Sequence, residues 1–274
     1  MTSDKTQLRY LIRLLEDQSI RTDVLKTLSS FSGDLEQEIE RQQITVTAEQ
    51  ALLIRPLLDR QYREWLFGVW KSWQTKRSDK QRLETALDLL AQFQLGRLYP
   101  VKLRTLLDNL ADEYDARYAQ RDALDLSEFL FQGFGLRGVE QQEYYNPLNS
   151  NLVYVIEHRR GIPISLACIY ILVGERLGLS IEGCNFPGHF LAIARTRRQK
   201  VIVDCFNGGT FINEESLASV QAKITHEDIL RMQCAAPVIV ARVLRNLVTA
   251  YQHAGDEPAA STMSELLHAI EGAA

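Results

Sequence analysis

The feature that most constrains the fold is a run of residues from Pro163 to Leu177 that is apolar on nearly every side. A helix without a polar face must be surrounded by other elements, because no side of it can face water. Pro163 suits the first turn of such a helix, where its missing N–H is not needed, and Gly178 ends it. The sequence therefore predicts one buried central helix around which a domain is built.

After Gly178 the apolar residues change to the alternation that is typical of strands. Strands are predicted over 180–185, 189–195 and 201–205, with a polar, basic connection between the last two. A meander of this kind packs on a central helix, and helical segments precede and follow it in the chain. We therefore predict an α+β fold in which a central buried helix lies on a small antiparallel sheet within a mostly helical protein.

A histidine and an aspartate lie where the second and third predicted strands bring them together. Residues two apart in a strand share a face, so His189 lies with Leu191, and Asp204 lies with Ile202. Any hairpin loop with an even number of residues puts both polar residues on the same side of the sheet. We expect that side, with its apolar neighbours, to face the central helix. The carboxylate would then orient the imidazole through a ring N–H, as the third member of a catalytic triad does.

Composition and charge exclude several classes of function. The chain has 274 residues, of which 46% are hydrophobic, and this is enough for a full core. Its formal net charge of −4 provides no positive field for phosphates, so we predict neither nucleic acid nor a membrane as a partner. The longest nearly apolar run, 162–174, is too short to span a bilayer. We therefore expect a cytoplasmic protein.

The cysteines and histidines do not have the spacing of a metal site. The four cysteines, Cys168, Cys184, Cys205 and Cys234, lie far apart and include no CxxC pair, so we expect reduced thiols. No pair of histidines has metal-ligand spacing with a set of thiolates or carboxylates nearby. The sequence predicts neither a metal nor a cofactor.

The N-terminal part of the chain is predicted to be helical. Two short amphipathic helices, with apolar stripes from Leu8 to Leu15 and from Val24 to Phe31, would form a HEAT-like hairpin. A further helical stripe includes Trp70 and Trp73 and, with Trp65, holds all three tryptophans of the chain. We interpret this tryptophan cluster as part of a core rather than as a partner-binding patch.

The remaining patterns divide the chain into three parts. The polar segment 72–81 lacks periodicity and is the best candidate for a linker. Near the C-terminus, an apolar stripe from Val238 to Tyr251 and a second segment from Pro258 to Ile270 predict a pair of helices. The predicted parts are an N-terminal helical, HEAT-like region (1–78), the core (79–222) and a C-terminal helical tail (223–274).

Four motifs around the central helix resemble a known family. They are Tyr-Asn-Pro-Leu-Asn-Ser at 145–150, Gly-Ile-Pro at 161–163, Pro-Gly-His-Phe at 187–190 and Asp-Cys-Phe-Asn-Gly-Gly at 204–209. In this combination, over roughly residues 83–274, the chain resembles the SirB-type bacterial proteins, a branch of the transglutaminase-like superfamily. The resemblance implies a papain-like or transglutaminase-like core and a tetratricopeptide-like helix pair in the tail.

The same resemblance implies roles for individual residues. In the wider superfamily a cysteine begins the central helix, a histidine opens the second strand and an aspartate lies on the third. His189 and Asp204 match the histidine and the aspartate, whereas the cysteine position falls at or near Pro163. The resemblance therefore implies a protein that keeps the fold but lacks the thiol nucleophile.

Three other residues are candidates for a substitute nucleophile. Ser165, in the first turn of the central helix, would complete a Ser-His-Asp set, although serines at this position more often hydrogen-bond to the helix end. Cys184 and Cys205 flank the histidine and the aspartate, but from positions beside them, which favours a packing role. Cys168 lies more than one turn inside the helix, where no positive dipole end would lower its pKa.

Two functions remain open from the sequence. The first is a non-catalytic protein that binds a peptide or protein partner in the remnant cleft, and a regulatory role is compatible with it. The residues expected at that cleft, besides His189, Asp204 and Ser165, are Asn146, Asn149, Pro163, Phe190, Asn207 and Gly208. The alternative is a hydrolase or acyltransferase of cysteine-protease or transglutaminase type that uses Ser165, Cys184 or Cys205 as its nucleophile. The alternative requires a hydroxyl or thiol within hydrogen-bond reach of the imidazole.

Overall fold

The structure of the protein, a computed structural model, describes residues 3–31, 33–197, 199–212 and 225–272. Contacts between Cα atoms divide the chain into two compact units. The first comprises residues 1–69 and 96–98, and the second comprises residues 70–95 and 99–274. The predicted boundary between the core and the tail, at 222/223, lies outside the described residues.

The described part of the first unit is helical. Its helices are α1 (Ser3–Leu14), α2 (Arg21–Ser29), α3 (Leu35–Arg41) and α4 (Ala48–Val69). Ile12 of α1, Leu28 of α2 and Ile54 of α4 belong to one buried apolar cluster. The two predicted amphipathic helices are therefore confirmed, and their HEAT-like character stays a prediction.

The three tryptophans do not lie on one helical stripe. Helix α4 ends at Val69, and Trp70–Thr75 form a 3₁₀ helix at the start of the second unit. Trp70 and Trp73 are buried there, with ring centroids 6.0 Å apart, whereas Trp65 belongs to the first unit. The core interpretation of Trp70 and Trp73 is confirmed, but the single stripe is wrong because the helix ends before them.

The segment 72–81 is not a linker. The 3₁₀ helix extends to Thr75, and α5 (Asp79–Leu95) begins four residues later. The carboxylate of Asp79 accepts a hydrogen bond from the backbone N–H of Ala236 at 2.8 Å. Polar side chains of this segment thus make tertiary bonds, which a periodicity argument does not detect.

The second unit is built around α9, which is buried from Pro163 to Gly174. This confirms the predicted central helix. The other described helices of the unit are α6 (Leu103–Arg117), α7 (Ala123–Glu128), α8 (Leu152–His158), α10 (His226–Leu230), α11 (Ala236–His253) and α12 (Glu257–Glu271), with α9 spanning Pro163–Arg176. A π-helical turn (Phe129–Gly133) continues α7, and Gln141–Glu143 and Pro147–Ser150 form short 3₁₀ helices.

Two sheets accompany these helices. Strands β1 (Arg137–Gly138) and β2 (Arg160–Gly161) form a short parallel pair. The larger antiparallel sheet has the order β6-β5-β4-β3-β7. Its strands are β3 (Ile181–Cys184), β4 (Leu191–Arg195), β5 (Lys200–Asp204), β6 (Thr210–Ile212) and β7 (Gln233–Cys234). The three predicted strands are confirmed within two residues at each end, and the α+β class is confirmed with them.

The two faces of the antiparallel sheet pack against different helices. On one face, Ile181 packs so closely on α9 that a Cβ atom added to Gly174 would lie 2.5 Å from its Cδ1. Small residues share this face in β4, since Ala192 pairs with Gly183 and Ala194 with Ile181. The other face packs with Ile229 of α10 through Cys184, Leu191, Ile193 and Ile202.

Leu191 and Ile202, the residues expected to share a face with His189 and Asp204, lie on the face that meets α10. The expectation that their side of the sheet faces the central helix is therefore wrong. Leu191 and Ile193 on one face of β4, and Ala192 and Ala194 on the other, are all buried. Because both faces are apolar, alternation shows which residues share a face but not which face meets α9.

The C-terminal helices form the predicted pair. Helix α11 buries Leu244 and Leu247, and α12 buries Met263 and Leu266. The two helices pack against each other, and their tetratricopeptide-like character stays a prediction. Among the helices of the described residues, none is both long enough and apolar enough to cross a membrane.

Candidate functional site

The candidate site is built on a direct contact between two polar residues. Asp204 is the last residue of β5, and His189 lies two residues before β4. Nε2 of His189 lies 2.8 Å from Oδ1 of Asp204. The side chain of His189 is 30% exposed and that of Asp204 is 11% exposed. The sequence prediction that the strands bring a histidine and a carboxylate together therefore corresponds to a hydrogen-bonded pair at the solvent boundary.

The turn after β5 holds the carboxylate in place. Oδ1 of Asp204 also accepts the backbone N–H groups of Phe206 at 3.1 Å and Asn207 at 3.2 Å. The Asn207 side-chain amide donates to Oδ2 at 2.8 Å. Gly208 and Gly209 both have positive φ angles, +74° and +71°, which glycine adopts without steric cost. The Asp-Cys-Phe-Asn-Gly-Gly sequence thus folds into a turn that orients Asp204.

Two opposing effects act on the pKa of Asp204. Burial raises the pKa, but hydrogen bonds from His189 and Asn207 and the proximity of the imidazole lower it, and the net effect is a pKa below the ordinary value. The carboxylate is therefore ionised near neutral pH. An ionised partner favours the His189 tautomer in which Nε2 carries the proton and donates it to Asp204.

The second ring nitrogen of His189 is not used by the protein. Within the residues that the structure describes, Nδ1 makes no hydrogen bond. The imidazole lies edge to face with Phe206, with centroids 5.9 Å apart, and Phe206 itself packs on Gly138, where a Cβ atom would lie 2.6 Å from Cε2. The ring is held by Asp204 and Phe206, and Nδ1 is an acceptor that has no partner among the described residues.

Ser165 does not complete a triad with this pair. Its side chain is buried, at 2% exposure, and Oγ donates to the carbonyl oxygen of Asn149 at 2.6 Å. This bond joins the first turn of α9 to the 3₁₀ helix before α8. The hydroxyl proton is directed at a backbone carbonyl, and no hydrogen bond links Ser165 to His189 in the described part of the chain.

The thiols are also placed as packing groups. Cys184 donates to the carbonyl oxygen of Ile229 at 3.5 Å, and burial raises its pKa to about 11. Burial raises the pKa of Cys234 to about 12 and raises the pKa of both Cys168 and Cys205 well above the ordinary value. All four thiols are therefore protonated near neutral pH, and none in the described residues hydrogen-bonds to His189.

The residues expected to line the cleft separate into a buried and an accessible group. Pro163, Asn149 and Phe190 are buried, and Asn149 donates to the carbonyl oxygen of Glu143 at 2.6 Å. Asn146 is exposed and accepts the N–H of Leu148 at 3.0 Å. The accessible group consists of Asn146, Asn207, Gly208 and His189.

Sequence reasoning missed one residue beside this site. Arg242 of α11 donates through Nη1 to Oδ1 of Asn185 at 2.6 Å and to the carbonyl oxygen of Phe186 at 2.8 Å. Its guanidinium lies over the ring of Phe190, 5.4 Å from the centroid. The available signal was an arginine directly after the apolar run 235–241 that begins α11.

Metal ligands do not cluster at the site. In the described ranges, no group of three or more histidine, cysteine or carboxylate side chains is placed to hold an ion. The chemistry that the arrangement supports is therefore hydrogen bonding and proton transfer by the His189–Asp204 pair.

Comparisons with known proteins agree with this architecture. Residues 99–245 match the family model of the transglutaminase-like superfamily. The chain is 33% identical over 204 residues to a UPF0162 protein of Xylella fastidiosa (strain 9a5c). The aligned region covers 68% of this chain and 70% of that protein. It is 27% identical over 184 residues to a UPF0162 protein of Pseudomonas aeruginosa, which covers 65% and 67% of the two chains.

A shorter similarity extends to a eukaryotic protein. Over 73 residues the chain is 37% identical to F-box only protein 21 of Homo sapiens. The aligned region covers 26% of this chain and 12% of that protein. No solved structure matches the chain.

Proposed function

Because the chain belongs to the transglutaminase-like superfamily and to the UPF0162 family, we propose that it is a non-catalytic member that binds a peptide or protein partner beside His189. The observation that carries the proposal is the contrast between an oriented imidazole and the absence of a nucleophile bonded to it. Asp204 holds Nε2 at 2.8 Å. In the described residues, no hydroxyl or thiol hydrogen-bonds to the ring.

The substitute nucleophiles support a non-catalytic role through their own bonds. A nucleophile needs a base that accepts its proton, but the Ser165 hydroxyl donates to the Asn149 carbonyl and the Cys184 thiol to the Ile229 carbonyl. The raised pKa of Cys205 makes its thiolate still scarcer at neutral pH. These contacts favour binding over hydrolysis or acyl transfer.

The accessible polar atoms suit an extended peptide. With Nε2–H donated to Asp204, Nδ1 of neutral His189 accepts a hydrogen bond. The Asn207 amide donates to Asp204 at 2.8 Å, and its Oδ1 makes no bond to the described residues. Two accessible acceptors next to Gly208 can receive backbone N–H groups of a bound peptide, as sites that recognise extended segments do.

The helices that precede and follow the core in the chain belong to the same proposal. HEAT-like and tetratricopeptide-like pairs commonly present protein-binding surfaces, and that step is an analogy at the level of fold. The proposal also places the protein in the cytoplasm, since its four cysteines form no disulfide. A regulatory role would follow from partner binding without chemistry.

The test is a selection of random peptides on the immobilised full-length protein. The selected peptides are then measured by fluorescence anisotropy on the wild type, His189→Ala and Asn207→Ala. Loss of one hydrogen bond predicts that each variant binds about two- to tenfold more weakly. His268→Ala is the matched control, because His268 bonds the Ser264 carbonyl of its own helix and no other residue that the structure describes. The proposal fails if no peptide is enriched, or if both site variants bind as the wild type does.

A second measurement tests the non-catalytic part separately. The protein and His189→Ala are treated with a fluorophosphonate, which labels activated serines, and the modified residue is mapped by mass spectrometry. We expect no labelling of Ser165 in either protein. Labelling of Ser165 that requires His189 would overturn the non-catalytic assignment in favour of a hydrolase or acyltransferase.

A further inference from the structure

Among the residues that the structure describes, the guanidinium of Arg242 is held through one of its three nitrogens. Nη1 donates both of its N–H groups, one to Asn185 Oδ1 at 2.6 Å and one to the Phe186 carbonyl oxygen at 2.8 Å. The backbone N–H of Asn185 is itself bonded to the Met232 carbonyl at 3.0 Å. The plane of the guanidinium is thereby set over Phe190, and little conformational entropy remains to be lost when a ligand binds.

The opposite edge of the same group is unused. Nε and Nη2 of Arg242 make no hydrogen bond with the described residues. No described carboxylate forms an ion pair with the guanidinium, although Arg242 is half-buried. The nearest charge along α11, Arg245, is itself positive and bonds Glu271 at 2.5 Å.

Another partly buried arginine of the same unit, Arg176, is paired differently. Arg176 of α9 bonds both oxygens of Glu84 at 3.0 Å and also bonds Asp108 at 2.6 Å. Removing a guanidinium from water without a counter-charge costs free energy. Arg242 carries that cost without a described partner, which is the arrangement expected of a group that receives a charged ligand.

Tyr144 is another partly buried side chain whose donor is unused within the described part of the chain. Burial raises the pKa of Tyr144, although the charge of Arg242 acts in the opposite direction, so the phenol keeps its proton. Its hydroxyl makes no hydrogen bond with the described residues. The next residue, Tyr145, is 47% exposed and stacks on His253, so this stretch of chain lies at the surface.

We infer that the Nε–Nη2 edge of Arg242 binds a carboxylate of the partner peptide. The parallel N–H groups of one guanidinium edge match the two oxygens of a carboxylate. One positive charge balances a single negative charge, whereas a phosphoryl group carries nearly two. The inference rests on the proposed function, since Phe190 under Arg242 follows His189 directly in the chain.

The carboxylate has two sources in a peptide, its C-terminus and the side chains of aspartate and glutamate. The peptides recovered by the selection are therefore synthesised with a free or amidated C-terminus, and with each acidic residue replaced by its amide. Charge-assisted pairing predicts that the amide at the recognised position lowers affinity about 10- to 100-fold. The position that responds identifies the source.

The matched variants are Arg242→Gln and Arg245→Gln on the same helix. We expect Arg242→Gln to weaken binding about 10- to 100-fold and to abolish the difference between acidic and amide peptides. Arg245→Gln should leave both unchanged. Arg242→Lys serves as a second variant because it keeps the charge but loses the two parallel N–H donors of the guanidinium edge. An intermediate loss of binding affinity is expected.

A direct measurement needs no peptide. Acetate is titrated into the full-length protein while the ¹H–¹⁵N resonance of Arg242 Nε is followed by NMR, with sodium chloride at equal ionic strength as the reference. A saturable shift with acetate that chloride does not reproduce supports the inference. An equal response to chloride, or a stronger one to inorganic phosphate, overturns it.

The two proposals fail in different ways. If peptides are enriched and respond to His189→Ala but not to Arg242→Gln or to amide replacement, the carboxylate site is wrong and partner binding at His189 stands. If acetate binds Arg242 but no peptide is enriched, partner binding at His189 is wrong.

Discussion

The start of α9 and the end of β5 hold the two parts of what would be one catalytic apparatus, and they differ in how their polar groups are used. At the start of α9, Pro163 and Ser165 are buried and the Ser165 hydroxyl is bonded to a backbone carbonyl. At the end of β5, Asp204 orients an imidazole whose Nδ1 has no partner among the described residues. The first region is closed by internal bonds, whereas the second remains open to a ligand.

The difference indicates which features of a catalytic framework survive without a nucleophile. A hydroxyl at a helix start is satisfied locally and becomes part of the packing. The His189–Asp204 pair keeps an unfilled bonding position at the surface, where a purely structural pair would be satisfied by the protein itself. Experiments that separate the closed region from the open one therefore test the comparison directly.

The largest effect is expected at Gly209, where the turn of the open site meets the closed interior. A Cβ atom there would overlap Phe131 and Ser127, and φ is +71°. We expect Gly209→Ala to lower the free energy of unfolding by about 3 kcal/mol or more, from strain and overpacking together. Urea denaturation followed by circular dichroism measures the loss.

Gly208 is the matched control for that substitution. Its φ of +74° is nearly the same, but a Cβ atom would meet no atom within 4 Å. Gly208→Ala should therefore cost only the conformational part, about 1 kcal/mol. Equal losses at the two glycines would mean that the turn is not packed on one side and open on the other.

A smaller effect is expected from Ser165→Ala. The substitution leaves the Asn149 carbonyl without its 2.6 Å hydrogen bond inside the protein, so we expect a loss of about 1–2 kcal/mol in the free energy of unfolding. Ser261→Ala is the control, since Ser261 is exposed and, within the described ranges, bonds only Glu265 of its own helix. It should change stability by about 0.5 kcal/mol or less. A Ser165→Ala protein as stable as the wild type would contradict the closed character of this region.

Acid should remove the contribution that the Asp204 carboxylate makes to stability. The pKa of Asp204 is lowered in the folded protein, so between the folded and the unfolded pKa the unfolded chain binds more protons and stability rises with pH. The contribution is present above the unfolded value of about 3.9 and is lost as pH falls through the folded pKa. The stability difference between the wild type and Asp204→Asn should therefore shrink as the pH is lowered below about 4. A difference that stays constant from pH 6 to the acid limit would mean that Asp204 is not held as an ion.

The closed region was more predictable from the sequence than the open one. A run without a polar face, Pro163 to Leu177, has only one stable environment, and the alternation in 180–205 defines strands. The pairing of His189 with Asp204 was predicted because a hairpin loop with an even number of residues puts both on the same side of the sheet. Which face meets α9 did not follow, because Leu191 and Ala192 are both apolar and both buried.

Contacts between distant segments were beyond any pattern. Arg242 bonds Asn185, 57 positions away along the chain, and no periodicity relates an arginine in a helix to the end of a strand. The segment 72–81 was misread for the same reason, since Asp79 bonds Ala236, 157 positions away. Sequence patterns define elements and faces, whereas the bonds that complete the site depend on how the elements are assembled.

The smallest effect is expected for the reactivity of the cysteines. Burial raises the pKa of Cys184 to about 11 and that of Cys234 to about 12, so about one Cys184 thiol in a thousand is ionised at pH 8. Iodoacetamide should alkylate all four thiols slowly, at rates that increase with pH, and His189→Ala should leave the rates unchanged. Mass spectrometry of the native protein measures each site, and the urea-unfolded chain, with ordinary thiol pKa values of about 8.5, gives the reference rate.

This comparison decides whether His189, in the open region, activates any thiol. An imidazole that acts as a base lowers the pKa of its thiol and makes it react faster at neutral pH than in the unfolded chain. A thiol that reacts in that way and slows in His189→Ala would join the two regions into a working enzyme. Four slow thiols that are indifferent to His189 exclude cysteine chemistry, because an imidazole that alters the reactivity of no thiol is not paired with one.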